Sequence, residues 1–286
     1  MININQKTIN NSISCNSVGL HSGCNVNLTL KPAEIDSGII FKRIDLPSEK
    51  NEIIANFKNV TTTNLGTTIA NQFGVSISTI EHLLGAIWGC KIDNLIIEID
   101  NIEVPIMDGS SAPFVFLIEC AGICIQNKNR RILEITENIK IEDQDKFIEV
   151  SPSNDFILDL TVDFNHKLIN FKNLNFDSNI HSFKNDLSRA RTFCFESEIE
   201  TMRKHGLAKG GSLDNAIVID DSKILNNEPL RYKDEFIRHK AIDFIGDLFL
   251  AGFYIKGHFT ANKVGHTINN KFVKHLFDNP QKWRIV

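Results

Sequence analysis

The chain has 286 residues, 42% of them hydrophobic and 23% charged, with 31 basic against 35 acidic side chains and a formal net charge of -4. That balance suits a globular protein with a sizeable core, in one large domain or two ordinary ones. It excludes the basic surface that general nucleic-acid binding requires. The opening MININQKTIN lacks the basic-then-apolar pattern of an export signal, and no apolar run approaches the ~18 residues that span a bilayer. A cytoplasmic protein without a transmembrane segment is expected. The six cysteines, at 15, 24, 90, 120, 124 and 194, form no CxxC pair and read as reduced thiols.

In chain order, Val26 to Leu30 alternates with the period of a half-buried strand, Ile80 to Trp88 has a helical pattern, and Asn94 to Ile99 reads as a buried strand. After Cys124 the sequence turns polar and basic, from Gln126 to Arg131, and a domain boundary is expected there. The domains are then 1–126 and 127–286. Strand patterns follow at Ile132 to Ile135, Phe147 to Val150 and Phe156 to Val162. A long helix comes late, FIRHKAIDFIGDLFL from Phe236 to Leu250, then a short strand and Gly265-His266. Each half carries several strands and one prominent helix, which predicts an α+β fold of two similar domains. Two stretches read as excursions: about 59–74, rich in Thr, Asn and Gly, and about 193–220, with a short helix, a KGGS turn and the strand AIVI.

The late helix raises the chemical question. At about 100° per residue, His239, Asp243, Asp247 and Lys240 share a polar arc of roughly 100°, and apolar side chains occupy the rest. His239 and Asp243, four apart, can share a metal ion, although a solvated polar face explains the same pattern. A catalytic zinc ordinarily has three protein ligands and one open position. His82, in STIEHLLGAIWG, is the most interesting further candidate. Glu81 beside it has two readings. It fits a capping box with Ser78, or it accepts a proton from water at a metal. His266 is a candidate general acid if a metal lies nearby, and Thr192 alone means little. The chain has no P-loop, no GxGxxG after a strand, no GxSxG and no HExxH.

Eight pieces, in order, carry a family resemblance: SVGLHSG (17–23), STIEHLLGAIWG (78–89), VPIMDGSSAPF (104–114), DFNH (163–166), SRARTF (188–193), GLAKGGSLDNAIVIDD (206–221), RYKDEFIRHKAIDFIGDLFLAG (231–252) and GHFTANKVGHTINNK (257–271). Together they resemble the UDP-3-O-acyl-N-acetylglucosamine deacetylases, zinc amidases of lipid A biosynthesis in Gram-negative bacteria.

The resemblance implies His82, His239 and Asp243 as ligands of one Zn2+ per chain, with Fe2+ the alternative ion. It implies Glu81 as general base, His266 as the acid that protonates the leaving amine, Asp247 as support for its charged form, and Lys240 and Thr192 near the reacting carbonyl. It implies two α+β domains, each a helical layer on a sheet with a small insert, and an active site between them. The second insert then lines an apolar passage for an acyl chain with Phe193, Phe195, Ile199, Ala208, Gly211, Ser212, Ala216 and Val218, joined by Leu65 from the first. Lys146, Asp163, Phe164 and Lys263 match positions near the uridine diphosphate. The implied partner is a small molecule, a nucleotide sugar bearing an acyl chain, and the implied state is a monomer. Three departures stand out: Cys194 where glycine is frequent, Lys167 where proline is common, and Ala208 where a cysteine can occur. Competing readings are a zinc amidase for another N-acyl sugar, and a binding module with a structural zinc closed by four ligands.

Overall fold

The computed structural model describes residues 5–164 and 166–286, so Asn165 of the DFNH piece lies outside the described residues. The chain is α+β. Among the described residues, the first half forms a five-stranded sheet in the order Ile13–Val18, Asn25–Pro32, Leu95–Ile99, Ile39–Arg43, Glu52–Ile54. Val26, Leu28 and Leu30 are buried on one face of the second strand, as the alternation predicts. The second half forms a seven-stranded sheet around Tyr254–Asn262. That strand pairs in parallel with Ile132–Ile135 through its first residues, and with Phe156–Thr161 and Lys146–Ser151 on its two sides further on. The short strand expected after the late helix is thus a central strand of nine residues. Its Gly257 and His258 hide it from a β-propensity reading.

Among the described residues there are five α-helices, α1 (Glu81–Gly89), α2 (Ala112–Ala121), α3 (Glu196–Lys204), α4 (Glu235–Phe249) and α5 (His266–Phe277), of which α3 belongs to the second excursion and has no buried residue. The sequence reading found α1, α3 and α4 and did not identify α2 or α5. The polar, basic stretch at the expected domain boundary is strand as far as Asn129. Ile123–Asn129 pairs antiparallel with Asn5–Ile9, and the Gln126 side chain donates to the Ala33 carbonyl and accepts from Asn94. The first excursion holds two strands of a three-stranded sheet, Val60–Thr62 and Thr68–Ala70. In the second, Phe193–Phe195 pairs in parallel with Ile217–Ile219. No helix among the described residues is long and apolar enough to cross a membrane.

One contact fixes the site: α1 against α4. Leu83, Leu84, Ile87, Ile242 and Ile245 belong to one continuous core that includes residues of both sheets. At Gly246 the helices meet backbone to backbone, and a Cβ there would lie 2.1 Å from the Glu81 carbonyl oxygen. Only a residue without a side chain allows that approach. The polar arc of α4 is consequently not a solvated face: His239, Asp243 and Asp247 are all buried against α1.

Gly246→Ala is expected to force the helices apart and to destabilise the fold by about 1–3 kcal/mol, despite the better helix propensity of alanine. Gly85→Ala meets side chains first, Ile242 Cγ2 at 3.2 Å and the Phe183 ring at 3.3 Å, and should cost less. Thermal melts of the two variants decide the point, and equal melting temperatures would refute it.

Candidate metal centre and its flanking acid–base groups

Residues 78–82 lead from the short strand Ser76–Ile77 into α1. The helix begins at Glu81, after Thr79 at φ +56°. Of the two readings of Glu81, the capping box with Ser78 does not form. Ser78 Oγ donates to the Ile102 carbonyl, while the Glu81 carboxylate turns inward and its Oε2 accepts the Thr67 peptide N–H at 2.9 Å. Glu81 is thereby aimed at the interior. The next residue, His82, points at α4, and its own carbonyl accepts from Ser111 Oγ at the start of α2.

His82 Nε2 lies 3.5 Å from Asp243 Oδ1 and His239 Nε2 lies 3.4 Å from the same oxygen. The two imidazole rings meet edge to face at 4.7 Å. One ligand atom from each of the three residues falls within 4.8 Å of the others, and all three residues are buried. His239 Nδ1 donates to the Ala190 carbonyl at 3.0 Å, which leaves Nε2 free for a ligand role. Burial drives the His239 pKa down to about 3, against the pull of Asp243, so the ring is neutral, as metal binding requires. Burial alone would raise the Asp243 carboxyl, but opposing interactions, that of the Lys240 ammonium foremost, hold it well below the usual carboxylate range.

Two observations fit a cation here. Asp243 Oδ1 is buried without a hydrogen-bond partner, while its companion Oδ2 accepts from Lys240 Nζ at 2.9 Å. An orphaned buried acceptor costs about 1–3 kcal/mol, which a ligand bond relieves. The interior also gathers three carboxylates, Glu81, Asp243 and Asp247, against two basic groups, Lys240 and His266. The imbalance favours one further positive charge. The donor set of two imidazoles and one carboxylate suits zinc, and three ligands leave a position open.

The flanking groups approach from three helices. His266 is the first residue of α5, where the positive end of the helix dipole disfavours an imidazolium. Its Nδ1 faces Asp247 Oδ2 at 2.8 Å and its Nε2 lies 3.9 Å from Glu81 Oε1. Burial would lower its pKa, but Asp247 and Glu81 outweigh burial and lift it to about 10. Burial raises the Glu81 carboxyl, with His266 and His82 opposing. The acid and the base candidates thus stand side by side with opposite charge needs. Thr192 and Phe193 are set beside α4 because Arg191 forms a buried ion pair with Glu235, at 2.8 Å, in the first turn of that helix. The Lys240 ammonium lies 5.7 Å over the Phe193 ring.

The trio opens into a cavity of about 430 Å³ that also exposes Glu81, Lys146, Thr192, Lys240 and His266. A second cavity of about 300 Å³, mostly apolar, runs on from it between the two excursions. Leu20, Leu65, Thr192 and Phe193 line both.

A family model described as UDP-3-O-acyl N-acetylglycosamine deacetylase matches residues 6–278. The chain belongs to this family. It is similar to proteins named UDP-3-O-acyl-N-acetylglucosamine deacetylase from Mannheimia succiniciproducens, 47% identical over 99% of this chain and 93% of the relative, and from Pasteurella multocida, with the same identity and coverage. The Chromobacterium violaceum protein of that name is 44% identical over 98% of this chain and 92% of its own.

Of the positions that the deacetylase resemblance singles out, Leu65, Phe193, Ile199, Ala208, Gly211, Ser212, Ala216 and Val218 line the apolar cavity. Phe195 lies elsewhere. It borders an open groove of about 710 Å³ with Asp163 and Phe164, its ring 6.5 Å from that of Phe164. Lys146 faces the polar cavity. Lys263 lies against Asp145 and Asp163, at 2.9 and 3.1 Å, and Lys172 bonds the other oxygen of Asp163 at 2.7 Å. The sequence reading missed Thr67 and Asn269, which both donate to Asp247, and Glu103, which accepts the His21 and Ser22 N–H groups and shapes the loop over the passage. Glu103 directly precedes the VPIMDGSSAPF piece and was within reach. An isolated Thr or Asn carries no such signal.

Purified protein should hold about one divalent ion per chain. His239→Ala and Asp243→Ala should each reduce that content strongly, by inductively coupled plasma mass spectrometry, and abolish the rise in melting temperature on adding the ion back. Full metal content in both variants would rule out the trio as the site.

Proposed function

We propose that this chain hydrolyses the N-acetyl amide of UDP-3-O-acyl-N-acetylglucosamine, giving UDP-3-O-acyl-glucosamine and acetate, an early step of lipid A biosynthesis. The observation that carries the reading is the buried trio His82, His239 and Asp243, flanked by Glu81 and His266 and open to both a polar and an apolar cavity. A structural zinc site would be closed by a fourth protein ligand. On this reading the ion is Zn2+, with Fe2+ as the alternative, and the chain is a cytoplasmic monomer of two domains divided at 126/127.

An amide resists hydrolysis because its carbonyl is a weak electrophile and its amine a poor leaving group. A divalent ion held by His82, His239 and Asp243 supplies a Lewis acid that polarises the carbonyl and makes water more acidic. Glu81 accepts the proton of the attacking water, and burial favours that step by raising its affinity for protons. The Thr192 hydroxyl and the Lys240 ammonium border the same cavity and stabilise the oxyanion as it develops. His266 donates from Nε2 to the departing nitrogen while Asp247 holds Nδ1. The C–N bond breaks, a C–O bond has formed, and the amine leaves neutral. Lys146, Lys263, Asp163 and Phe164 bind the nucleotide part, and the apolar cavity takes the acyl chain.

Glu81 works ionised and His266 works protonated, so kcat/KM is bell-shaped in pH. The alkaline limb falls as pH rises through the His266 pKa. A bound cation repels the imidazolium, which sets that limb below the value of about 10 that Asp247 and Glu81 impose. Asp247→Asn removes the chief stabiliser of the imidazolium and should move the limb to lower pH. Glu81→Gln and His266→Gln should each cost about 100-fold or more in kcat with the metal retained. Acetate release from the acylated nucleotide sugar, compared with the non-acylated one, tests the substrate. Equal rates on the two would defeat the assignment.

A further inference from the structure

Thr67 sits between the two groups to which the proposed function gives the proton transfers. It lies within the first excursion, directly before the strand Thr68–Ala70, 1% exposed, and every polar atom it has is engaged. Its peptide N–H donates to Glu81 Oε2 at 2.9 Å, its hydroxyl donates to Asp247 Oδ1 at 2.5 Å, and its carbonyl accepts from the Ile80 N–H at 3.4 Å. The other oxygen of Asp247 accepts from His266 Nδ1 and from Asn269 Nδ2, each at 2.8 Å. One residue therefore touches the carboxylate of the base directly, and reaches the acid through a single intervening carboxylate.

A threonine kept only for packing has no need of two carboxylates. Buried hydroxyls usually bond to backbone or water. Here both donors go to acidic side chains 14 and 180 residues away. Each bond leaves one oxygen for the chemistry. With Oε2 tied to the peptide N–H, Glu81 Oε1 is the oxygen turned towards His266. With Oδ1 tied to the hydroxyl, Asp247 Oδ2 remains for the imidazole. The threonine side chain is stiff at χ1 and fully buried, so it transmits position well.

We propose that Thr67 is a positioning residue of the reaction: its N–H orients Glu81 and its hydroxyl locks Asp247, and through Asp247 the His266 ring, so that base and acid keep a fixed mutual geometry. The inference rests on the roles given to Glu81 and His266 above. Without the hydroxyl, Asp247 Oδ1 loses the donor shown for it and the carboxylate is free to turn. The imidazole it orients turns with it, at a cost felt in the transition state more than in substrate binding.

The test uses metal-loaded full-length protein. Thr67→Val keeps the shape and the peptide N–H and removes the hydroxyl. The expected result is a fall in kcat of about tenfold or more, with KM and metal content unchanged. Thr67→Ser restores the donor and should recover most of the loss. In an Asp247→Asn background the valine change should cost far less than in the wild type, because the link it breaks is already gone. Thr67→Ala removes the same hydroxyl without setting a methyl against the carboxylate, and serves if the valine variant does not fold. A kcat within about twofold of wild type for Val, or equal losses for Val and Ser, would overturn the proposal. So would failure of both Val and Ala to fold while Ser is active, which places the hydroxyl in the fold and not in the reaction. Glu81→Gln and His266→Gln run beside these. If they keep activity, the underlying site reading fails. If they lose it while Thr67→Val does not, only the role of Thr67 fails.

Discussion

At Gly246 the backbone of α4 lies against the Glu81 carbonyl with no room for a side chain between them. Everything at the candidate site follows from that approach. Glu81 and His82 are adjacent on α1, and His239, Asp243 and Asp247 rise along the facing side of α4. A helix pair held a few ångströms further apart by ordinary side chains would separate the two imidazoles and leave the carboxylates to water. Here three carboxylates share a buried volume with two basic groups, an arrangement that is costly for an isolated charge and is stabilised by mutual pairing. The interior is thus committed to its charges by the packing around it.

The same packing determines how a ligand can lie. Leu20, Leu65, Thr192 and Phe193 border both the polar cavity and the apolar one. A molecule with a charged, sugar-like part and a hydrocarbon part can occupy both at once, with the junction between its two natures beside the trio. The excursions build this junction: Leu65 comes from the first, Phe193 from the start of the second. His21 joins them, with Nε2 against the Leu65 carbonyl and Nδ1 accepting from the Ala208 N–H.

Much of this was legible from the residues. Val26, Leu28 and Leu30 announce their strand by alternation, and α1, α3 and α4 by helical spacing. The polar arc of α4 could be seen, but periodicity reports only which residues share a face, not whether that face meets water or another helix. What buries it is Gly246, and a glycine inside a helical pattern states no partner. Glu81 shows the same limit from the other direction. Ser78 and Glu81 satisfy the spacing of a capping box, yet Thr67, whose N–H takes the carboxylate instead, arrives from a different segment. The stretch Gln126 to Asn129 reads as a boundary by composition, and its strand form comes from pairing with Asn5–Ile9, remote in the chain. The Tyr254–Asn262 strand reads as short because the neighbours on both its sides, not its own residues, make it central. In each case the missing information is tertiary, carried by a partner remote in the chain. The resemblance to deacetylases fills part of that gap, since eight ordered motifs bring long-range relations that local physics does not.

The hydrogen bond between Thr67 and Asp247 closes a loop of 180 residues. Closing so long a loop costs conformational entropy that no single hydrogen bond repays, so the contact depends on the core that joins both segments. Partly folded chains therefore hold these carboxylates apart in water, where each is solvated and indifferent to the others. The candidate centre thus has no counterpart in any local piece of the chain. Its geometry is a property of the completed tertiary structure.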